Sequence, residues 1–381
     1  MGSMPTLRDV VSVMDQLYNP AWADSWDAVG LVAGDLDAEV TRVLFAVDPV
    51  QAVVDQAVQM DAQLLITHHP LWLKGVTSVA ASSPKGKVVH SLISNGVALL
   101  TCHTNADCPP LGVSESMAFA LGLTDVRPLD VDADRPLDKW AVFVPQADAQ
   151  AVANAMHEAG AGVIGDYDRA QFQSVGTGSF RPLNGANPTI GQVGEVEFVP
   201  EIKIEVVASR SVRDSVRAAM VAAHPYEEVA YDLIEMVPAP SNRGSGRIGS
   251  LPHPMKLRDF AEHVRGSLPA HHSAVRIAGD PDRVISTVGL CGGSGDFLLP
   301  VAQRAGADVY VTSDLKHHPV SEHCEQPGAC AVIDVPHWAA EATWLPVAAK
   351  ALGERLENLD IHVSQIVTDP WMASLPGTVD L

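Results

Sequence analysis

Apolar positions along this chain switch between helical and extended spacing. Residues 7–17 (LRDVVSVMDQL) carry them at a helix's period, whereas VLFAVD (43–48), QLLIT (63–67) and VALLTC (97–102) are short continuous apolar runs of strand length. Helices are expected from Pro49 to about Met60 and near 86–95, between those runs. Strand and helix in alternation predict a largely parallel sheet covered by helices.

The pattern changes near Asp138. KWAVFVP (139–145) predicts a strand and 147–158 a helix, ended by Gly160, Gly162 and Gly165. A Gly/Pro/Asn-rich loop is expected through 176–194, then a strand at EIKIEVVAS (201–209), a helix at 211–222 and a strand at EVAYDLIEM (228–236). The order β-α-β-α-β predicts a small ferredoxin-like domain, left through the linker PAPSNRGSGR (238–247). VISTVGL (284–290), DVYVTS (308–313) and ACAVIDV (329–335) then return to buried strands, with helices expected at 296–305, 315–323 and 337–352. The expected fold class is therefore α/β. A discontinuous core of two βα-rich halves, 1–132 and 246–381, carries an inserted ferredoxin-like α+β domain at 136–240.

Composition narrows the function classes. Hydrophobic residues make up 47% of the 381, enough for a sizeable core. The net charge of -21, from 46 acidic against 25 basic residues, disfavours nucleic acid as a partner. The five cysteines form no C-x-x-C pair, which argues against a disulfide framework or a thiolate zinc site and fits a reducing cytoplasm. The opening residues MGSMPTLRDV lack the apolar stretch of a signal peptide, and the apolar runs are too short to span a bilayer, so no membrane association is expected.

The residues able to do chemistry gather at three predicted strand ends, where open α/β sheets bind their ligands. LLITHHPLW places His68 and His69 directly after a strand, and LLTCHTNADCPP places His103 and Asp107 after another. VIDVPHWAAEATW puts Pro336 at a helix start and His337 and Glu341 at i and i+4 on one face. Each segment alone also reads as an ordinary turn or a solvated pair. Together, His68, His69, Asp107, His337 and Glu341 are a mixed nitrogen and oxygen ligand set, suited to zinc first and to manganese, iron or cobalt as alternatives. Two such cations need a bridging oxygen ligand, which Glu341 or Asp107 can provide, and a water between them is acidified toward hydroxide. His103 and His318, the latter in SDLKHHP (313–319), are the expected proton carriers. CGGSGD (291–296) reads as a tight backbone turn, SWDAVGL (25–31) as packing, and HPYEE (224–228) as an interface or turn.

These segments resemble the GTP cyclohydrolase 1 type 2 homologue family, the Nif-three-like dinuclear metal-centre proteins, across almost the whole chain. WDAVGLVAGD, ITHHPLW, CHTNAD, VTSDLKHH and PHWAAE are similar to its motifs in order. AGAGVIGDYD, GTGSFRPLNGANP and AHPYEEVAYD are similar to the PII- or CutA-like insert of its longer members. The resemblance implies two divalent metal ions per subunit on His68, His69, Asp107, His337 and Glu341, with His103 and His318 in the pocket. It also implies a toroidal homohexamer. The chain departs from the motifs at Pro336, Ala340, Ser313 and His317 without losing a ligand position. The function implied is a dinuclear-metal-dependent hydrolase acting on a nucleotide or related phosphorylated small molecule. Lys74, Lys316 and Arg181 are the candidates to neutralise such a substrate. The alternative is a non-enzymatic hexamer that stores or delivers metal or senses a small molecule.

Overall fold

Thr6 caps the first helix, Leu7–Leu17. Its hydroxyl accepts from the Asp9 N–H, and the Asp9 carboxylate accepts from the Thr6 N–H. Leu7, Val10, Met14 and Leu17 then share one buried face, each side chain worth about 1.5–3 kcal/mol on burial. The computed structural model describes residues 4–131, 136–165, 167–237 and 241–375. The chain divides into two compact units, Met1–Asp132 with Asn242–Leu381, and Ala133–Ser241.

In chain order the strands are β1 (Gly30–Ala33), β2 (Arg42–Ala46), β3 (Leu64–Thr67), β4 (Ala98–Thr101), β5 (Thr124–Val131), β6 (Leu137–Pro145), β7 (Gln171–Phe180) and β8 (Glu197–Ser209). They continue as β9 (Tyr231–Glu235), β10 (Gly244–Lys256), β11 (Arg276–Ala278), β12 (Val284–Ser294), β13 (Val309–Ser313), β14 (Ala331–Val335) and β15 (Asp360–Val363). The first unit holds two mixed sheets, ordered β1-β4-β3-β2-β15 and β11-β14-β13-β12-β10-β5. The centre of each is parallel, and β3, β4 and β13 are buried at every position. A strand covered on both faces reads as a continuous apolar run, which is why these strands stand out in the sequence.

Register decides what the strand ends present. Thr67 pairs with Thr101, so residues 68–69 and 102–103 leave the first sheet at one level. Ser313 pairs with Val335, so Asp314 and Pro336 leave the second sheet at one level. One apolar core reaches both sheets. At its centre the fully buried Trp344 meets Tyr18 edge-on at 5.4 Å and Phe45 at 6.3 Å. The expected long helix 337–352 is two helices, His337–Ala342 and Trp344–Gly353, jointed at Thr343, whose hydroxyl turns back to the Ala340 carbonyl at 2.6 Å. The glycine segment after VISTVGL does not end its strand, because β12 continues through Ser294.

The second unit forms an antiparallel sheet ordered β7-β8-β6-β9, with helices Ala149–Glu158 and Arg213–Ala223. The observed order is β-α-β-β-α-β, the ferredoxin-like pattern, with one strand more than the sequence suggested. Residues 176–180 of the expected loop belong to β7, which pairs with β8 from Gln171↔Val206 to Phe180↔Glu197. β7 is an edge strand, mostly exposed on both faces and interrupted by Gly176 and Gly178, so it carries no apolar alternation. Residues 238–240 of the expected linker lie outside the described residues, and its last residues are already strand, since β10 begins at Gly244.

Candidate metal centre

Four histidines approach one another at the carboxyl ends of the parallel strands: His68 and His69 after β3, His103 after β4 and His337 after β14. His68 is fully buried, with its ring 5.1 Å from His69, 5.2 Å from His103 and 5.6 Å from Trp344. Glu341 lies among them, 3% exposed. Its Oε1 is 2.7 Å from His337 Nε2 and 3.4 Å from His68 Nε2, and its Oε2 is 2.9 Å from His69 Nε2. Asp107, in the short helix Thr104–Asp107, brings Oδ1 to 3.7 Å from His68 Nε2.

The far nitrogen of every ring is held by an oxygen that can only accept. His68 Nδ1 faces the Cys102 carbonyl at 2.9 Å, His69 Nδ1 faces Asp48 at 2.7 Å, His103 Nδ1 faces Asp27 at 2.8 Å and His337 Nδ1 faces Asp314 at 2.8 Å. Each Nδ1 therefore carries a proton and donates it, and a ring that gives up its Nε2 proton turns a lone pair inward. Such outer acceptors fix the tautomer and raise the basicity of metal-binding imidazoles. The acceptors are themselves anchored. Asp27 takes the Thr104 N–H at 3.1 Å and its hydroxyl at 2.5 Å, and Asp48 takes the Thr368 hydroxyl.

Protons alone satisfy this cluster badly. His69 and His337 bring their Nε2 atoms within 3.4 Å of each other while both face Glu341. His68 Nε2 and Glu341 Oε2 are buried without an aligned hydrogen bond, a costly state for polar atoms. Burial disfavours the His69 cation, but Glu341 and Asp48 outweigh it and push its pKa up to about 10. Burial likewise opposes His337, and Glu341 with Asp314 pushes it up to about 11. Burial also opposes the Glu341 anion, yet His69, His68 and His337 hold it well below the usual carboxylate range. Burial, then Glu341, pushes Asp107 up to about 7. Burial acts against Asp27, and hydrogen bonds from His103 and Thr104 overcome it and hold this carboxyl below its ordinary value.

A divalent cation would relieve the crowding that protons leave. Two overlapping sets, His68–His69–His103 and His69–His337–Glu341, each place their ligand atoms within 4.8 Å of one another and share His69. Nitrogen and carboxylate donors without thiolate fit a borderline transition ion such as zinc. Gly293 makes room for the shared carboxylate: a Cβ there would stand 2.6 Å from Glu341 Oε1, and the residue has φ +71°.

The structure thus brings together His68, His69, His103, Asp107, His337 and Glu341. His318, on the helix His317–Cys324, meets His317 edge-on at 5.2 Å, and among the described residues no hydrogen bond or ion pair joins it to the cluster. Asp27, Asp48 and Asp314, each facing the Nδ1 of a cluster imidazole, are positions that sequence reasoning did not place at the site. Asp27 falls in a segment that reads as packing, and Asp314 in the segment read for His318. Their one visible signal was a carboxylate beside the exit of a buried strand or inside a motif. A cleft of about 560 Å³ opens beside His69 and His337, lined by Asp48, Asp314, Asp334, Asp369, Arg276 and Trp371 among others. Lys74 and Lys316 do not line it.

Comparison with known proteins converges on one group. The sequence profile of the Duf34/NIF3 family (NGG1p interacting factor 3) matches residues 5–370. A Mycobacterium tuberculosis protein named GTP cyclohydrolase 1 type 2 homolog is 50% identical over 96% of each chain. A Bacillus subtilis protein of that name is 35% identical over 96% of this chain and 97% of its own. Among solved structures, a Bacillus cereus protein related to NIF3 superposes with a TM-score of 0.69 at 35% identity, covering 98% of this chain and 100% of its own. A Staphylococcus aureus protein superposes at 0.76 with 28% identity and the same coverage.

Proposed function

The chain belongs to the Duf34/NIF3 family, and on that premise we propose that it is a dinuclear-metal-dependent hydrolase for a small phosphorylated or nucleotide-like substrate. One observation carries the reading. Four imidazoles are each fixed through Nδ1 by an acceptor, and three of them turn Nε2 toward a buried carboxylate that retains an oxygen without an aligned hydrogen bond. His68, His69, Asp107, His337 and Glu341 would hold two divalent ions, zinc first. Bound there, such ions act as Lewis acids and lower the pKa of water.

The protein's own groups supply the rest. Asp27 anchors the Nδ1 proton of His103, leaving Nε2 able to take or return a proton at the cluster, the orientation a general base needs. The cleft beside His69 and His337 offers Asp48, Asp314, Asp334 and Asp369 against Arg276. Arg276 is already engaged by Asp334. A phosphate therefore enters only after the cluster's negative charge has been neutralised, which links substrate binding to metal loading. We propose a homohexamer working in the cytoplasm without nucleic-acid or membrane partners. Among the described residues no helix is long and apolar enough to cross a membrane.

The test pairs metal content with turnover. Zinc-loaded protein should hydrolyse at least one compound in a panel of nucleotides and phosphorylated metabolites. His68→Ala and Glu341→Ala should lose both metal and turnover while keeping the circular dichroism spectrum and the sedimentation coefficient of the parent. Stoichiometric metal uptake with no turnover across the panel would transfer the reading to a metal-storing or sensing hexamer.

A further inference from the structure

Two motifs of the second unit take no part in the metal cluster. GTGSFRPLNGANP (176–188) and HPYEE (224–228) face each other across a cavity of about 710 Å³, larger than the cleft beside His337. The loop after β7 is tied over it. Asn187 N–H donates to the Glu227 carboxylate at 3.0 Å, Thr189 Oγ1 donates to the Pro225 carbonyl at 2.7 Å, and Gly194 N–H donates to the Pro182 carbonyl at 2.9 Å.

Glu201 of β8 forms the polar wall and is 8% exposed. Its Oε1 accepts from the Tyr226 hydroxyl at 3.1 Å. Among the described residues no other hydrogen bond and no ion pair reaches the carboxylate. The nearby Lys203 is engaged by Glu205 at 3.4 Å. Glu201 Oε2 lies over Gly178, where a Cβ would stand 2.2 Å from it. Any other residue at 178 would push the carboxylate aside.

Tyr226 is locked in place. Its N–H donates to His224 Nδ1 at 3.1 Å, so His224 carries its proton on Nε2 and donates to the Phe143 carbonyl at 2.9 Å. Phe180 meets the Tyr226 ring at 5.6 Å and 64°. Burial, then Glu201, holds the Tyr226 hydroxyl protonated, so it remains a donor.

A nearly buried carboxylate with a single neutral donor lacks a counter-charge. No group of metal-ligating side chains meets at this cavity among the described residues, so an inorganic cation fits it poorly. Aromatic faces beside a carboxylate match an organic ammonium on an apolar body, since the rings' π-faces and the anion both attract the cation. Glu227 and Glu228 of the lining are matched by Arg181 and Lys203, so Glu201 leaves the cavity with a net negative charge.

We infer that this cavity is a binding site for a small organic cation, a primary amine on an aromatic or branched apolar body. Its ammonium pairs with Glu201 and its body rests against Phe180 and Tyr226.

Calorimetric titration of the full chain with phenethylamine, and with 2-phenylethanol as its neutral counterpart, tests this. Phenethylamine should saturate at one per chain and bind at least about tenfold more tightly than the alcohol, the scale of a desolvated cation–π contact. Glu201→Gln should bring the amine down to the level of the alcohol. Gly178→Ala, which displaces the carboxylate without removing it, should weaken the amine alone. His68→Ala should change neither ligand. Should Glu201→Gln fail to fold, Gly178→Ala and the amine-to-alcohol ratio of the parent protein still decide. Equal affinity for amine and alcohol, amine binding that survives both second-unit variants, or no saturation at millimolar amine overturns the proposal.

Discussion

Asp314 has φ +57°, a backbone state that favours glycine or asparagine, and its carboxylate holds His337 Nδ1. Converting Asp314 or Asp48 to Asn removes a charged acceptor and leaves the ring able to flip its tautomer. Metal affinity, followed by competition with a chromophoric chelator, should fall by about 10–100-fold with little change in the far-ultraviolet spectrum. Unchanged affinity in both variants would mean the rings are oriented by packing alone. Protons compete with metal for the same nitrogens. His69 at about 10 and His337 at about 11 are raised above 6.5, so in metal-free protein their protonation stabilises fully below about 6.5 and is lost as pH climbs through 10 to 11. Metal must displace those protons at neutral pH, and Asp107, at about 7, surrenders another below that value. Affinity should therefore rise from pH 6 to pH 9, and calorimetry in buffers of different ionisation enthalpy should record proton release on metal uptake. A pH-independent affinity would contradict the assigned proton states. His68, His69, His103, Asp107, His337 and Glu341 were all visible in the sequence as residues leaving apolar strands. Asp48 and Asp27 were not, because a lone aspartate at a strand end or in a loop also serves as a cap or turn.

Between residue and fold, the strand ends are set by two supports. Gly293 in β12 backs Glu341, and its φ of +71° with only 2.6 Å to the carboxylate excludes a side chain. Gly293→Ala should cost about 1–2 kcal/mol for the left-handed backbone alone, seen as a lower denaturant midpoint. It should also impair metal uptake by displacing Glu341; normal uptake would show that the carboxylate has room to move. The second support is Arg247 of β10, buried completely. Its guanidinium donates to the carbonyls of Gly244, Gly246, Cys108 and Pro109, tying the loop after Asp107 to the second sheet. Arg247→Met should destabilise by about 3–5 kcal/mol, the scale for breaking a buried charged network, measured by urea unfolding. A loss under about 1 kcal/mol would mean that water replaces the guanidinium without penalty. Buried strands such as β3, β4 and β13 were legible because burial on both faces leaves only apolar residues to read. β7 was hidden because an edge strand exposed on both sides is under no such constraint.

At the scale of the whole molecule, the proposed ligands, drawn from residues 68 to 341, would make metal binding a clamp on the first unit. Ions bound by the folded state alone stabilise it by mass action, about 2.7 kcal/mol at a free concentration 100 times the dissociation constant. Zinc should raise the melting temperature and a chelator should lower it, with His68→Ala insensitive to both. A chelator-insensitive melt in metal-loaded parent protein would exclude the clamp. The amino-acid order by itself determined the α/β class, the family and which imidazoles and carboxylates stand at strand exits, because backbone periodicity and short motifs are local properties. Tertiary structure alone decided the rest. The Thr67↔Thr101 and Ser313↔Val335 registers bring separate exits to common levels. Asp27, Asp48 and Asp314 thereby acquire imidazole partners, and Glu341 is enclosed among three rings. Those outcomes depend on distances between segments up to 273 residues apart, from His68 to Glu341, which only the packing of two sheets around one core can fix.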